Sequence, residues 1–191
     1  QVAEAVAGAR DIYPRSNFVL LAANEIEAKL YGEAGGSGIV ANCLILTDER
    51  IWRPLTARKH RQFDAVYVSR LDRPKRHELA ANVRSLQLIY GWSLDRQHDG
   101  YNSAFDRVKS LLPRAHFANH EAGEGRYRRL SSEEIVERFA ESGVGLCLSA
   151  EEGIMRASME YLMSGLPVVS THSVGGRDRY FVGNYCRVVD D

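Results

Sequence analysis

Short apolar runs with little polar alternation recur between amphipathic stretches from residue 64 onward, a pattern typical of strands covered on both faces of a sheet. The runs predicted as strands are 65–68, 86–90, 115–118, 144–148, 167–170 and 186–189. The stretches predicted as helices are 77–85, 100–112, 132–142, 155–164 and the weaker 177–181. Ser131, followed by Glu134, predicts a capping box at the start of one of these helices. Repeated strand–helix alternation predicts an α/β fold with a doubly wound parallel sheet.

The first third of the chain follows a different pattern. A strand is predicted over 17–21, a short helix over 24–31 and a second strand over 38–46. The residues that follow are polar and irregular and include Pro54, which predicts a connector between two units. The expected division of the chain is 1–46, a linker over 47–63 and a main domain over 64–191.

Composition and charge narrow the function classes. The 191 residues carry 25 Lys and Arg against 25 Asp and Glu, and 45% of them are apolar. This neutrality argues against a nucleic-acid or anionic-membrane binder, although a local cationic pocket remains compatible with it. No apolar run approaches the roughly 18 residues that span a bilayer, and the N-terminus lacks a signal-peptide pattern.

The cysteines indicate a reducing compartment. Cys43, Cys147 and Cys186 are an odd number without close pairing, and their neighbours are mostly apolar, so we expect thiols rather than a disulfide framework. We therefore expect a cytoplasmic protein, and we leave open a peripheral attachment to the inner membrane in a longer chain.

Several common motifs are absent or lie in the wrong context. Residues 36–41 fit the G-x-G-x-x-A pattern but precede a strand-like run instead of following one, so we interpret them as a glycine-rich turn. The sequence has no phosphate-binding G-x-x-x-x-G-K-[ST] loop, no G-x-S-x-G and no Asp-x-Asp pair. His116 and His120 have helical spacing but begin in a predicted strand, so no metal site is expected there.

Two basic runs are interpreted as solvated surface. They occupy 58–61 and 126–129, and charge runs in loops are usually exposed. Together with the overall neutrality, this interpretation predicts no nucleic-acid partner.

A third group of cations lies directly after the first predicted strand of the main domain. The run Ser69-Arg70-Leu71-Asp72-Arg73-Pro74-Lys75-Arg76 contains it. Open α/β sheets bind ligands at the carboxyl ends of their strands, close to the N-terminus of the next helix. An anionic group such as a diphosphate is the natural ligand for this cluster, and a solvated turn explains it equally well.

The second candidate cluster is acidic and surrounds the helix predicted over 155–164. One face of that helix is apolar and is expected to pack in the core: Met155, Met159, Leu162 and Met163. Glu160 falls at the edge of this face, where a carboxylate needs hydrogen-bond donors such as ligand hydroxyls. Glu152 precedes the helix at the same edge of the sheet, and its alternative role is to complement the helix dipole.

Together these clusters resemble the nucleotide-sugar domain of retaining GT-B glycosyltransferases, the family called group 1 or family 4. Glu152 and Glu160 are similar to the two acidic positions of its E-x7-E signature. The stretch 165–171 is similar to the family's G-x-P-V-V-x-T, and Gly175-Gly176 is similar to the Gly-Gly that follows it.

The basic cluster extends the resemblance. Val68-Ser69-Arg70-Leu71…Lys75 resembles the motif G-R-L-x-x-x-K, with Arg70 and Lys75 at the matching spacing. The order and separation of the motifs also agree, and the match runs from about residue 64 to the end. The resemblance implies a Rossmann-like GT-B C-terminal domain, preceded by a remnant of the N-terminal acceptor domain.

The resemblance implies a reaction and a set of roles. A hexose would pass from a UDP- or GDP-sugar to an acceptor with retention and without a metal or other cofactor. Arg70 and Lys75 would stabilise the charge on the leaving diphosphate, while Glu152 would bind the hexose hydroxyls. These three are the expected catalytic residues. The expected donor-binding residues are Ser69, Gly153, Ile154, Met155, Glu160, Gly175 and Gly176, of which Glu160 would bind the ribose. Choice of base is expected to depend on backbone near 91–93, and the acceptor stays open, with lipid-linked or growing polysaccharide chains among the candidates.

The sequence also departs from the family pattern. Ser69 stands where the family usually has Gly, and Ile154-Met155 replaces Phe-Gly. Residues 1–46 resemble only the last strand–helix–strand piece of an acceptor domain, and the chain stops soon after Val189. We therefore expect a fragment that transfers little or nothing alone.

Two other functions stay open. A sugar-nucleotide epimerase of the same fold would convert a nucleotide sugar without an acceptor, which product analysis would reveal. A non-catalytic nucleotide-binding module would keep the fold without transfer, and the reading frame would then lack a preceding acceptor domain.

Overall fold

The computed structural model describes residues 2–41, 43–55, 60–91, 98–120, 127–181 and 183–191. The sequence predictions for 58–59, 92–93 and 126 lie outside the described residues. Within these ranges the strands form one sheet of two strands and one sheet of six. No described helix is long and apolar enough to cross a membrane.

The first part of the chain forms a small strand–helix–strand unit that a helix precedes. Its elements are α1 (Val2–Ile12), β1 (Val19–Ala22), α2 (Glu25–Glu33) and β2 (Ser37–Val40), followed by a 3-10 turn over Cys43–Leu46. β1 and β2 pair in parallel, as strands joined by a helix do. The second strand is shorter than the predicted 38–46, because its last residues form the 3-10 turn, and α1 is not indicated by the sequence pattern.

The glycines at the start of β2 serve close packing. A Cβ on Gly38 would lie 2.6 Å from the carbonyl oxygen of Ala28, and a Cβ on Gly36 would lie 2.7 Å from Leu20 Cδ1. The missing side chains therefore let α2 and β1 approach this segment closely. The interpretation of 36–41 as a turn is therefore wrong for 37–40, which form the strand itself, and no helix that could face a pyrophosphate starts in this segment.

The rest of the chain forms the six-stranded sheet and its helices. Its elements are β3 (Phe63–Arg70), β4 (Leu86–Gly91), α3 (His98–Leu111), β5 (His116–Phe117), α4 (Ser132–Ala140), β6 (Ser142–Cys147), α5 (Arg156–Met163), β7 (Val168–Thr171) and β8 (Cys186–Val189). The strand order is β5-β4-β3-β6-β7-β8, and every neighbouring pair is parallel. The predicted doubly wound α/β sheet is confirmed.

The order of the strands fixes where a ligand can bind. The chain runs outward from β3 to β5 on one side and then returns to place β6 on the other side of β3. At such a reversal the two connecting segments leave in opposite directions, and a crevice opens beyond the carboxyl ends of the two strands. The two clusters singled out by the sequence follow β3 and β6.

The connector before the sheet is packed against it. Trp52 is buried, and its ring lies 5.9 Å from that of Phe139, on α4. The first strand of the sheet begins at Phe63, inside the segment that the sequence assigns to a linker.

The prediction of a helix over 77–85 is wrong. Two 3-10 turns, Arg73–Lys75 and His77–Ala80, stand there instead, and Arg76 between them has a left-handed φ of 49°. His77 and Ala80 are both buried. Residues three apart share a face in a 3-10 turn, so this short segment buries both side chains before β4 begins.

The predicted apolar face of α5 is also partly wrong. The residues of this helix that are buried are Ala157, Ser158, Glu160 and Tyr161, whereas Met159, Leu162 and Met163 are only half-buried. The reason is Tyr161, which is completely buried and lies 4.9 Å from the ring of Phe139. Its hydroxyl accepts a hydrogen bond from the Val68 backbone N–H at 2.7 Å, so the helix docks on the sheet through its tyrosine.

Gly145→Ala is expected to destabilise the domain. Gly145 lies on β6, and a Cβ there would approach Tyr161 Cε2 to 2.7 Å, so either the ring or the strand must shift. Such overpacking costs about 1–3 kcal/mol, which lowers the melting midpoint by roughly 3–10 °C.

Gly32→Ala is the matched control, because a Cβ on Gly32 meets nothing within 4 Å and the residue lies inside α2. It should leave the midpoint unchanged or raise it slightly. Equal midpoints for Gly145→Ala and the parent, measured by circular dichroism, would contradict the packing described for Tyr161.

Candidate active site

A cleft of about 600 Å³ opens at the carboxyl ends of β3 and β6. Seven of the ten residues that the sequence singles out line it: Ser69, Arg70, Lys75, Glu152, Ile154, Met155 and Glu160. The other three, Gly153, Gly175 and Gly176, line a neighbouring cavity of about 580 Å³ that also touches α2. The topology therefore brings the charged residues of both sequence clusters to the same cleft.

Lys75 and Glu152 form an ion pair at the floor of this cleft. Lys75 Nζ donates to Glu152 Oε2, and the two side chains are only 14% and 17% exposed. The turn that carries Lys75 is held by β3, because the hydroxyl of Tyr67 on that strand donates to the carbonyl oxygen of Lys75. The Glu152 carboxylate therefore neutralises the Lys75 ammonium within the cleft.

Arg70 is held more loosely. Its Nε lies 3.1 Å from Asp72 Oδ2, and its side chain is 61% exposed. Exposed ion pairs contribute little to stability, so Arg70 can leave Asp72 for an anionic ligand at small cost.

Glu160 is the most deeply placed carboxylate of the cleft. It is 8% exposed, and the nearest cation, Arg156 Nη2, lies 3.7 Å from its Oε1. Burial raises the pKa of Glu160, and the charge of Arg156 lowers it in part. A buried carboxylate of this kind is a ready acceptor for ligand hydroxyls, as the sequence suggests.

Arg177 organises the far side of the site, and sequence reasoning misses it. It is completely buried. The partners of its guanidinium are Asp178 Oδ1, the carbonyl oxygens of Ser149 and Thr171, and Ser170 Oγ, at 2.5–2.9 Å. Its backbone N–H donates to the Glu152 carbonyl at 3.1 Å. Arg177 therefore joins the ends of β6 and β7 and fixes the main chain of Glu152.

The glycines after β7 lie next to the main chain of Glu152. Gly175 and Gly176 have φ of 119° and 107°, a region that favours glycine. A Cβ on Gly175 would lie 3.0 Å from the carbonyl carbon of Glu152. In this structure the group that approaches Gly175 closely is the protein's own backbone at Glu152.

The opposite wall follows β4 and β5. The sequence points to the backbone near 91–93, and Gly91 does line the cleft, but the role of Asn119 is unforeseen. Asn119 is buried; its Oδ1 accepts from the Tyr90 N–H at 2.7 Å, and its Nδ2 donates to the Arg128 carbonyl at 2.9 Å. This amide holds the segment where Tyr127 and Arg129 line the cleft. The interpretation of 126–129 as solvated surface is therefore incomplete, because Arg129, although exposed, faces the site.

The two histidines with helical spacing lie apart from the cleft. His116 stacks on Phe63 at 5.4 Å, and His120 stacks on Phe105 at 4.7 Å. Burial lowers the pKa of His116, as does the charge of Arg138. The residues that the structure describes include no group of three or more side chains suited to hold a metal ion.

Comparisons with known proteins concern the fold. No protein-family model matches the sequence, and a search of curated proteins finds no match. The C-terminal domain of LpcC, a glycosyl transferase group 1 family protein from Francisella tularensis, is similar at a TM-score of 0.51 and 17% identity, over 75% of this chain and 80% of that one. The six-stranded sheet has the fold of a GT-B C-terminal domain.

Two longer structures extend this likeness. HepE from Anabaena, in complex with UDP-glucose, is similar at a TM-score of 0.59 and 15% identity, over 97% of this chain and 54% of that one. The lipopolysaccharide outer core galactosyltransferase WaaB is similar at a TM-score of 0.52 and 16% identity, over 89% of this chain and 48% of that one. The chain thus spans about half the length of these two GT-B proteins, and at such identities the shared property is the fold.

Proposed function

We propose that this chain is the donor-binding part of a glycosyltransferase that uses a UDP- or GDP-sugar. The observation that carries the proposal is the meeting of two cations, Arg70 and Lys75, with two carboxylates, Glu152 and Glu160, in one cleft at the reversal point of the sheet. A nucleotide sugar presents one diphosphate and two sets of hydroxyls, which is the complementary chemistry. The likeness of the fold to HepE, whose structure contains UDP-glucose, supports this choice of ligand.

The cations have a defined task in the transfer. The bond between the anomeric carbon and the diphosphate oxygen breaks, and its electron pair goes to the diphosphate. The acceptor oxygen forms the new bond to the anomeric carbon, and its proton passes to an oxygen of the leaving diphosphate. Lys75, fixed through its backbone by Tyr67, and the movable Arg70 stabilise the negative charge that develops on the leaving group. We propose that these side chains replace a metal ion in this role.

The two carboxylates of the cleft bind hydroxyls on different parts of the donor. Glu160, which is buried on α5, accepts hydrogen bonds from the ribose, and Glu152, next to Lys75, accepts them from the hexose. Amides around Gly153–Met155 precede the N-terminus of α5 and can add donors to the phosphates or the sugar. We propose retention of the anomeric configuration on the basis of the E-x7-E resemblance.

The two sheets suggest that one part of the chain faces the acceptor and the other binds the donor. We propose that residues 1–46, with their own parallel pair β1–β2, belong to the acceptor side, that 47–63 connect the two sides and that 64–191 bind the donor. The acceptor side would then contact the donor loops from α2, where the cavity beside Gly153 lies.

Isothermal calorimetry with UDP and GDP tests the proposal. Arg70→Ala and Glu160→Gln are each expected to weaken binding of the preferred nucleotide roughly tenfold or more, because each removes charge-assisted hydrogen bonds to the ligand. Chelation by EDTA should leave the affinity of the parent unchanged. Arg84→Ala is the control, since Arg84 pairs with Asp64, not with a cleft residue, and is 86% exposed. If Arg70→Ala and Glu160→Gln both bind UDP and GDP as tightly as the parent, the proposed site is wrong.

A further inference from the structure

Asn24 links the first unit of the chain to the candidate site. It is the N-cap of α2, where its Oδ1 accepts from the Glu27 backbone N–H at 2.9 Å. Its other side-chain atom, Nδ2, donates to the Gly175 carbonyl at 3.0 Å, across 151 positions of sequence. One amide thus caps a helix of the first unit and bonds to the loop that follows β7.

That loop determines where Glu152 lies. The Glu152 N–H donates to the Val174 carbonyl at 3.0 Å, and the Glu152 carbonyl accepts from the Arg177 N–H at 3.1 Å. Gly175 lies between these two bonds, packed on the Glu152 main chain. A shift of the Gly175 carbonyl therefore moves the backbone that presents the Glu152 carboxylate.

The packing around Asn24 supports this connection. Ala23 is buried, and a Cβ on Gly153 would lie 3.9 Å from the Cβ of Ala23 and 3.6 Å from the Gly175 oxygen. The start of α2 and the loops that carry Glu152 and Gly175 are thus in contact at this point.

We propose that Asn24 is a positioning residue for the sugar half of the donor. This inference rests on the proposed function and adds to it a residue outside the donor domain. The Asn24 amide holds the Gly175 carbonyl, and through it the backbone of Glu152. Lys75 and Arg70 lie on the β3 side of the cleft, where Tyr67 holds the main chain of Lys75. Loss of the amide donor therefore weakens binding of the sugar without weakening binding of the diphosphate.

The two roles of Asn24 can be separated by substitution. Aspartate and serine are N-caps about as good as asparagine, so Asn24→Asp and Asn24→Ser keep the bond to Glu27. Neither can donate an amide N–H to Gly175. Asn24→Ala loses both bonds and reports the cost of the missing cap.

The test compares sugar nucleotides with free nucleotides on the 191-residue chain. Calorimetry with UDP-glucose and GDP-glucose, beside UDP and GDP, should show Asn24→Asp and Asn24→Ser binding the preferred sugar nucleotide roughly threefold to tenfold more weakly, the value of one hydrogen bond. The free nucleotide should lose no affinity, because a displaced Glu152 competes less for Lys75. Hydrogen exchange at the backbone amides of Glu152 and Arg177 should become faster in both variants, while their melting midpoints stay close to that of the parent.

Each outcome bears on either the role of Asn24 or the proposed function. Unchanged affinity for every ligand together with unchanged exchange, or an equal loss for free and sugar nucleotides, overturns the role of Asn24. If the parent binds none of the four ligands, the proposed function fails. In that case, the exchange of the Glu152 and Arg177 amides still determines whether Asn24 positions this loop.

Discussion

Arg177→Met is expected to lower the free energy of unfolding by about 3–5 kcal/mol, because it removes a buried charge and leaves its partners unpaired. Arg177 is wholly inaccessible to solvent, and its guanidinium satisfies the carbonyl oxygens of Ser149 and Thr171 together with Ser170 Oγ. Methionine fills a similar volume but donates nothing. The expected fall in melting midpoint is roughly 10 °C.

The matched control is Arg187→Met, the same substitution at an exposed position of β8. It should change stability by less than about 0.5 kcal/mol. Arg177→Lys should fall between the two, since an ammonium cannot reproduce the planar fork of the guanidinium. Urea unfolding followed by circular dichroism measures all three, and an Arg177→Met curve that overlays that of Arg187→Met would show that the network is dispensable.

Much of the fold follows from local pattern. Apolar runs separated by amphipathic stretches predict the six parallel strands, and the capping box of Ser131 and Glu134 is present with both of its bonds. The sequence also places both clusters directly after strands. Because β3 and β6 are neighbours whose connections leave in opposite directions, residues about 80 positions apart, such as Lys75 and Glu152, meet in one cleft.

The features that sequence reasoning misses all depend on tertiary contacts. Arg177 is followed by Asp178 and Arg179, a run that looks solvated, and only the space between the ends of β6 and β7 shows why it is buried. Asn24 resembles an ordinary helix cap, and its second bond reaches a residue 151 positions away. The segment 77–85 has the amphipathic pattern of a helix, but Arg76 before it is left-handed, and the burial of His77 and Ala80 against the rest of the domain accompanies a 3-10 turn instead.

Glu152→Gln is expected to tighten binding of the free nucleotide without tightening binding of the sugar nucleotide. Glu152 is paired with Lys75, and both side chains are largely withdrawn from water. A diphosphate must displace this carboxylate before it can pair with the cation. Glutamine removes the competing charge, so UDP or GDP, whichever the parent prefers, should bind roughly tenfold more tightly.

The sugar nucleotide should respond differently. In the proposed complex the diphosphate takes over Lys75, and the released carboxylate of Glu152 accepts hydrogen bonds from the hexose. Glutamine is a weaker acceptor, so the gain at the phosphate is offset by a loss at the sugar, and the ratio of the two affinities shifts by an estimated one to two orders of magnitude. The Lys75–Glu152 ion pair thus favours binding of the sugar nucleotide over binding of the nucleotide diphosphate, which is the product that must leave.

Calorimetry of Glu152→Gln with the free nucleotide and its glucose derivative measures this ratio directly. Glu151→Gln is the control, because it removes the same charge from the adjacent, exposed side chain. If Glu152→Gln weakens both ligands equally, the carboxylate binds a part that they share and does not restrain Lys75. A tighter nucleotide with a weaker sugar nucleotide would instead identify Glu152 as the group that alternates between the lysine and the hexose.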